Sequence, residues 1–107
     1  MTQARMDWKH MVLEVSGHAN YAPKGQDIVC AAVSILTQAL ANALADVDVK
    51  YGMARMEMQA PAEGQMKISA RVCWANLSMI RSYFEVAVTG LRMLAEKYPE
   101  YIKLEEV

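Results

Sequence analysis

The chain has 107 residues, 54% of them hydrophobic, with 11 basic and 12 acidic side chains, a net charge of -1 and two cysteines. That length suits a single domain, 1-107, with one core, and no uninterrupted apolar run nears the roughly 20 residues that cross a bilayer, which argues against a membrane partner. Without a Lys/Arg cluster to neutralise phosphates, direct nucleic-acid binding is not expected, and without an apolar leader a cytoplasmic location with free thiols is.

Between Met6 and Ser16, Met11, Leu13 and Val15 alternate with Val12 and Glu14, the pattern of a strand with one buried face. His10 falls on the other face and is assigned no role. Gly17 ends the strand, and Asn20, Pro23 and Gly25 mark the stretch to Gln26 as a loop. Asp27 stands where a helix N-cap belongs, ready to accept from the N-H of Val29 or Cys30, and a helix is predicted to about Ala45. Val29, Val33, Leu36, Leu40 and Leu44 form one apolar seam, and Ile28, Ala32, Ile35 and Ala39 a second, so the helix is expected to be buried on most sides. A narrow polar stripe remains: Asp27, Cys30, Ser34, Thr37 and Gln38.

After Asp46, Val47, Val49, Tyr51 and Met53 share one strand phase and Ala54, Met56 and Met58 the other, which predicts a bulge near Gly52. Ala60-Pro61-Ala62-Glu63-Gly64 reads as a hairpin turn. Met66, Ile68, Ala70, Val72 and Trp74 alternate along the returning strand, with Cys73 a small filler on its opposite face. A second helix is predicted from Asn76 or Ser78 to about Lys97. It turns Leu77, Ile80, Phe84, Val88, Leu91 and Ala95 to the core and pairs Arg81 with Glu85 and Arg92 with Glu96 outside. Met79, Val86 and Met93 recur every seven residues on a flanking seam, read as a wider core in preference to a subunit contact. Pro99 stops the helix, and residues 101–107 form a short final strand or a tail. The fold class is α+β: a small antiparallel or mixed sheet packed against two helices, in the order β-α-β-β-α.

Chemistry concentrates at the junction of the first loop and helix. A cysteine attacks a carbonyl as its thiolate, and a free thiol with a pKa of about 8.5 is only slightly ionised at neutral pH. At about the third helical position, Cys30 gains on the order of 0.3 to 1 kcal/mol from the dipole, under one pKa unit. A charged neighbour has to supply the rest, and His18 lies across a loop long enough to return to the helix start. In such a pair His18 takes the thiol proton and later gives it to the leaving amine, while N-H groups at the helix start stabilise the oxyanion. Asp27 has two readings, helix cap or the partner that sets the His18 tautomer; its place before the apolar run favours the cap. Ser34, one turn on, is a supporting position. The spacing alone is weak, since a histidine and a cysteine twelve residues apart arise by chance. Neither a cofactor nor a metal is expected, because two cysteines and two histidines spread over three segments lack the tight spacing of a zinc site.

The wording of the segment is more specific. Gly17-His18-Ala19, Tyr21-Ala22, Gly25 and Asp27-Ile28-Val29-Cys30-Ala31-Ala32-Val33-Ser34 closely resemble the signature of the ribosomal-processing cysteine protease family, Prp. The plan of helix, hairpin, long helix and Tyr98-Pro99 ending resembles the family as well. The resemblance implies a cysteine endopeptidase with His18 and Cys30 as a dyad, Gly17, Asp27 and Ser34 as supporting positions, a mobile His-bearing loop and a homodimer. Members of the family remove a short N-terminal extension, ending in bulky apolar residues, from a large-subunit ribosomal protein; some relatives process phage capsid or scaffold proteins. A ribosomal protein precursor, or a phage structural protein if the copy is phage-borne, is the implied substrate. Members usually begin with a longer hairpin, so the sixteen residues before Gly17 imply a shortened one, with an edge strand missing or replaced. The Met-rich stretch from Met53 to Met58 implies an altered substrate groove. Two readings from other classes stand beside this one: a dimeric module that binds peptides without cleaving them, and an assembly protein that uses the Met79/Val86/Met93 seam.

Overall fold

The first sixteen residues hold two strands where the alternation predicts one. In a computed structural model, which describes residues 1–52, 56–60, 62 and 64–107, strand β1 (Thr2–Asp7) runs antiparallel to β2 (Val12–Ser16), from Gln3 opposite Ser16 to Asp7 opposite Val12. The turn between them is built on Asp7. One carboxylate oxygen accepts from the His10 N-H at 3.1 Å, the other lies 2.8 Å from His10 Nδ1, and Met11 then takes a left-handed conformation with φ 55°. His10 is therefore a turn residue and not part of a strand. The hairpin is short, but neither of its strands is missing.

Helix α1 (Ile28–Tyr51) runs past its predicted end at Ala45. The Val47, Val49, Tyr51 alternation that reads as a strand is helical, with Val47 buried and the other two exposed. Asp46 and Lys50 pair at 3.1 Å across one turn, and Gly52 (φ 63°) closes the helix with its N-H on the Asp48 carbonyl. Gly52 is thus a left-handed C-cap, not a bulge. By length and composition α1 is apolar enough to cross a membrane; in this fold Val29, Val33, Leu40, Leu44 and Val47 are buried in the core. Ile28 and Ile35 of the predicted second seam are exposed, so the helix is buried along one face rather than on most sides. Thr37, assigned to the polar stripe, is buried, its hydroxyl donating to the carbonyls of Val33 and Ser34.

The predicted second hairpin forms from β3 (Glu57–Gln59) and β4 (Gln65–Ser69), with Met58 opposite Ile68. Met53, Ala54, Pro61 and Glu63, which enter the predicted strand and turn, lie outside the described residues. β4 stops at Ser69, leaving Val72 and Trp74 beyond it, and Cys73 is an exposed turn residue instead of a strand filler. Helix α2 (Leu77–Lys97) follows the prediction and buries Ile80, Phe84, Val88 and Leu91; Leu77, expected in the core, is exposed. The flanking seam divides: Met79 is half-buried and packs against the core, as expected, whereas Val86 is 74% and Met93 65% exposed. Arg81 pairs with Glu85 at 3.7 Å as expected, whereas Arg92 turns from Glu96 to Glu106, Nε to Oε2 at 2.9 Å. That partner belongs to β5 (Ile102–Glu106), the final strand, which pairs in parallel with β1.

The sheet order is β3-β4-β2-β1-β5, antiparallel except for the last pair. Among the described residues, two helices and a five-stranded mixed sheet make the predicted α+β class. Met6, Leu13 and Ile68 lie side by side across β1, β2 and β4 and are fully buried. The alternate residues Arg5, Glu14 and Lys67 leave the other face polar, with Lys67 3.8 Å from Glu14. The same registers bring Thr2, Gly17, Gly64 and Tyr101 to one end of the sheet.

Candidate active site

The loop between β2 and α1 begins at that end. Gly17 has φ 85°, and a Cβ on it would stand 2.5 Å from the Met1 carbonyl oxygen, so both conformation and crowding require glycine. Its N-H donates to the Gly64 carbonyl at 2.9 Å. His18 follows, then Ala19, whose side chain is buried and whose N-H donates to Cys30 Sγ at 3.3 Å. Tyr21 sets its ring edge-on against Tyr98 and Tyr101, with centroids 5.6 and 5.1 Å away. The loop is thus tied down at its start, its middle and its return.

Asp27 supplies the return. Oδ1 accepts from the Cys30 N-H and Oδ2 from the Tyr21 N-H, each at 2.9 Å. One carboxylate therefore caps the helix and holds the loop at once. Burial raises the affinity of this carboxyl for its proton, yet the hydrogen bonds from Cys30 and Tyr21 outweigh that and hold it below the usual aspartate value. Asp27 occupies the cap position expected for it, and among the described residues no hydrogen bond joins it to His18.

Two cavities share His18, Cys30 and Ser34 in their walls. The first, about 280 Å³, runs inward past Val15, Val33, Thr37 and Met66. The second, about 520 Å³, opens under the loop past Asn20, Lys24 and Asp27. The half-buried Cys30 thiol sits where they meet, and no hydrogen bond joins it to His18 in this structure. Two donors expected for an oxyanion are engaged: the Cys30 N-H by the Asp27 side chain and the Ala31 N-H by the Asp27 carbonyl, at 3.0 Å. The N-H that faces sulfur is that of Ala19, which no sequence pattern singles out. Gly64 was also missed, because its only sequence signal is that of a turn. No group of three His, Cys, Asp or Glu side chains able to hold a metal occurs among the described residues.

Compared with known proteins, the chain falls first into a class: it is a cysteine protease, a hydrolase. The sequence model of the family described as cysteine protease Prp matches residues 1–103, and the chain belongs to that family. It is 32% identical over 97 residues to the ribosomal processing cysteine protease Prp of Mycoplasma pneumoniae, spanning 91% of this chain and 88% of that one. The fold is shared with the ribosomal processing protease Prp from S. aureus, solved with a covalently linked product peptide: TM-score 0.82, 20% identity, 100% of both chains covered. It is also similar to SMU.848 from Streptococcus mutans, with TM-score 0.70 and 27% identity over 99% of this chain and 91% of that one.

Proposed function

We propose that this protease removes a short N-terminal extension from a large-subunit ribosomal protein, with Cys30 as nucleophile and His18 as its acid and base. The observation that carries the reading is the Cys30 thiol at the meeting of two cavities, with the Ala19 N-H on its sulfur and His18 in both walls. The ribosomal substrate is supported by the name of the M. pneumoniae relative.

His18 takes the thiol proton as sulfur adds to the scissile carbonyl, and the carbonyl oxygen takes up the negative charge. The Ala19 N-H, already directed at sulfur, lies beside that oxygen and stabilises it. Collapse breaks the C-N bond; His18 returns its proton to the departing amine, leaving a thioester on Cys30. Water then adds to the thioester, giving one proton to His18, and the intermediate expels the thiolate, which regains that proton from His18; the product leaves as the carboxylic acid and loses its own proton to solvent. Asp27 orders the loop and helix start throughout, and Ser34 lines the path beside the thiol. Homodimerisation and a cytoplasmic location belong to the same reading; native mass spectrometry at twice the chain mass checks the former.

Mass spectrometry of a ribosomal-protein precursor carrying its extension tests the function. The wild type is expected to release the extension and Cys30→Ala to release none, a loss of about 10³-fold or more. Equal processing by both overturns the proposal. Binding of the precursor with no product from either supports the non-cleaving module, and cleavage of a phage capsid or scaffold protein alone moves the substrate to that class.

A further inference from the structure

Gly64 lies directly before β4 with φ 76°, and it meets the His18 segment twice. Its carbonyl accepts the Gly17 N-H at 2.9 Å and so pins the residue before His18. Its bare Cα lies under the imidazole: a Cβ there would stand 2.8 Å from Nε2, 3.0 Å from Cε1 and 3.4 Å from Cδ2. Carbon contacts settle at about 3.5 to 4.0 Å, so any side chain at this position displaces the ring. Backbone conformation alone does not account for that crowding. Gly52 has a similar φ, 63°, with open space where its Cβ would go.

We propose that Gly64 is a positioning residue for His18, its missing side chain forming the seat that holds the imidazole facing both cavities beside Cys30. The proposal rests on the reading of Cys30 and His18 as the reacting pair. It extends that reading to a residue 46 positions from His18 in the chain. Because reacting groups lose on the order of 10²-fold in rate when misplaced by about 1 Å, a methyl group in the seat registers in the chemical step rather than in substrate binding.

Gly64→Ala and Gly64→Asn carry the test. Both add the Cβ, and asparagine tolerates a left-handed backbone better than alanine does. Each variant is expected to lower kcat for peptide cleavage by on the order of 10²-fold while KM stays within about threefold. Each is also expected to shift the His18 imidazole proton resonances, with His10, remote in its turn, as the internal reference. Gly52→Ala, which imposes left-handed strain in open space, is expected to keep the wild-type kcat. In a His18→Ala background Gly64→Ala is expected to cost nothing further, since a residue that acts through another has no effect once that other is gone.

Wild-type kcat in the Gly64 variants, unmoved His18 resonances, or an equal further loss in the His18→Ala background would overturn the proposal. If His18→Ala itself cleaves like the wild type, the dyad reading falls instead, and the His18 resonances of the Gly64 variants decide alone whether Gly64 seats the ring.

Discussion

At the start of α1 the order is Asp27 and then Cys30; at the start of α2 it is Cys73 and then Asn76. Both helix starts pair a cysteine with a short polar side chain three residues away, and in both that side chain accepts the cysteine N-H, at 2.9 Å from Cys30 and 2.7 Å from Cys73. The geometry beyond that bond separates them. Asp27 reaches forward into the helix and sideways to Tyr21, so a loop arches over a thiol that already lies in the first turn. Asn76 reaches backward, its amide donating to the Arg71 carbonyl at 3.3 Å, and Cys73 stays outside the helix and exposed to water. A helix terminus is common to both. What distinguishes Cys30 is a second segment that brings a histidine, a backbone donor and two cavities to the thiol.

The largest expected difference between the two helix starts is in thiol chemistry. Alkylation at neutral pH, followed by peptide mapping, is expected to modify Cys30 faster than Cys73 although Cys73 is the more exposed. Cys73→Ala should cleave peptide at the wild-type rate. Equal or slower reaction at Cys30 would erase the contrast.

Removing the polar side chain at each helix start comes next. Asp27→Ala is expected to lose about 1 kcal/mol of stability in urea titration, and about tenfold in kcat because the loop loses its return bond as well. Asn76→Ala loses about 1 to 2 kcal/mol from its buried hydrogen bonds and leaves kcat unchanged. If both variants lose activity in proportion to stability, Asp27 has no separate hold on the loop.

Acid provides a smaller effect with a definite sign. The Asp27 carboxyl binds its proton less readily in the fold than its ordinary value of 3.8. Its stabilising contribution is therefore full above that value and is lost as pH falls through the depressed folded one. The stability advantage of wild type over Asp27→Asn should be constant from pH 6 to 8 and shrink below about pH 4, read by circular dichroism. The smallest change is reserved for a site remote from both helix starts. Glu106→Gln weakens an exposed pair with Arg92 and the bond from the Trp8 indole, and is expected to cost under about 1 kcal/mol with no effect on cleavage.

The site was legible in the sequence where its signals are local. Asp27 as a cap, Cys30 in the first turn of its helix and the loop marked by Pro23 and Gly25 all follow from residues within a few positions of one another. The fold was illegible where a side chain overrides the pattern. Asp7 makes a turn inside an alternating run, and the Asp46 pair with Lys50, together with the Gly52 cap, keeps a β-branched stretch helical. Ala19 and Gly64 were illegible for another reason: one acts through its backbone and the other through the absence of a side chain. Neither leaves a residue type that points to its partner.

The parallel pairing of β1 with β5 has a consequence during synthesis. β1 is synthesised well before β5, and until Ile102–Glu106 has followed it, one side of that strand shows an unpaired row of N-H and C=O groups. Closing the sheet by a contact between strands so far apart in sequence is slow compared with forming the hairpin of β1 and β2. The nascent chain thus carries an open sheet edge until β5 has been made, so an arrest before β5 leaves a species prone to pair with its neighbours. The aggregation hazard of this small protein is set by the order in which its strands are made.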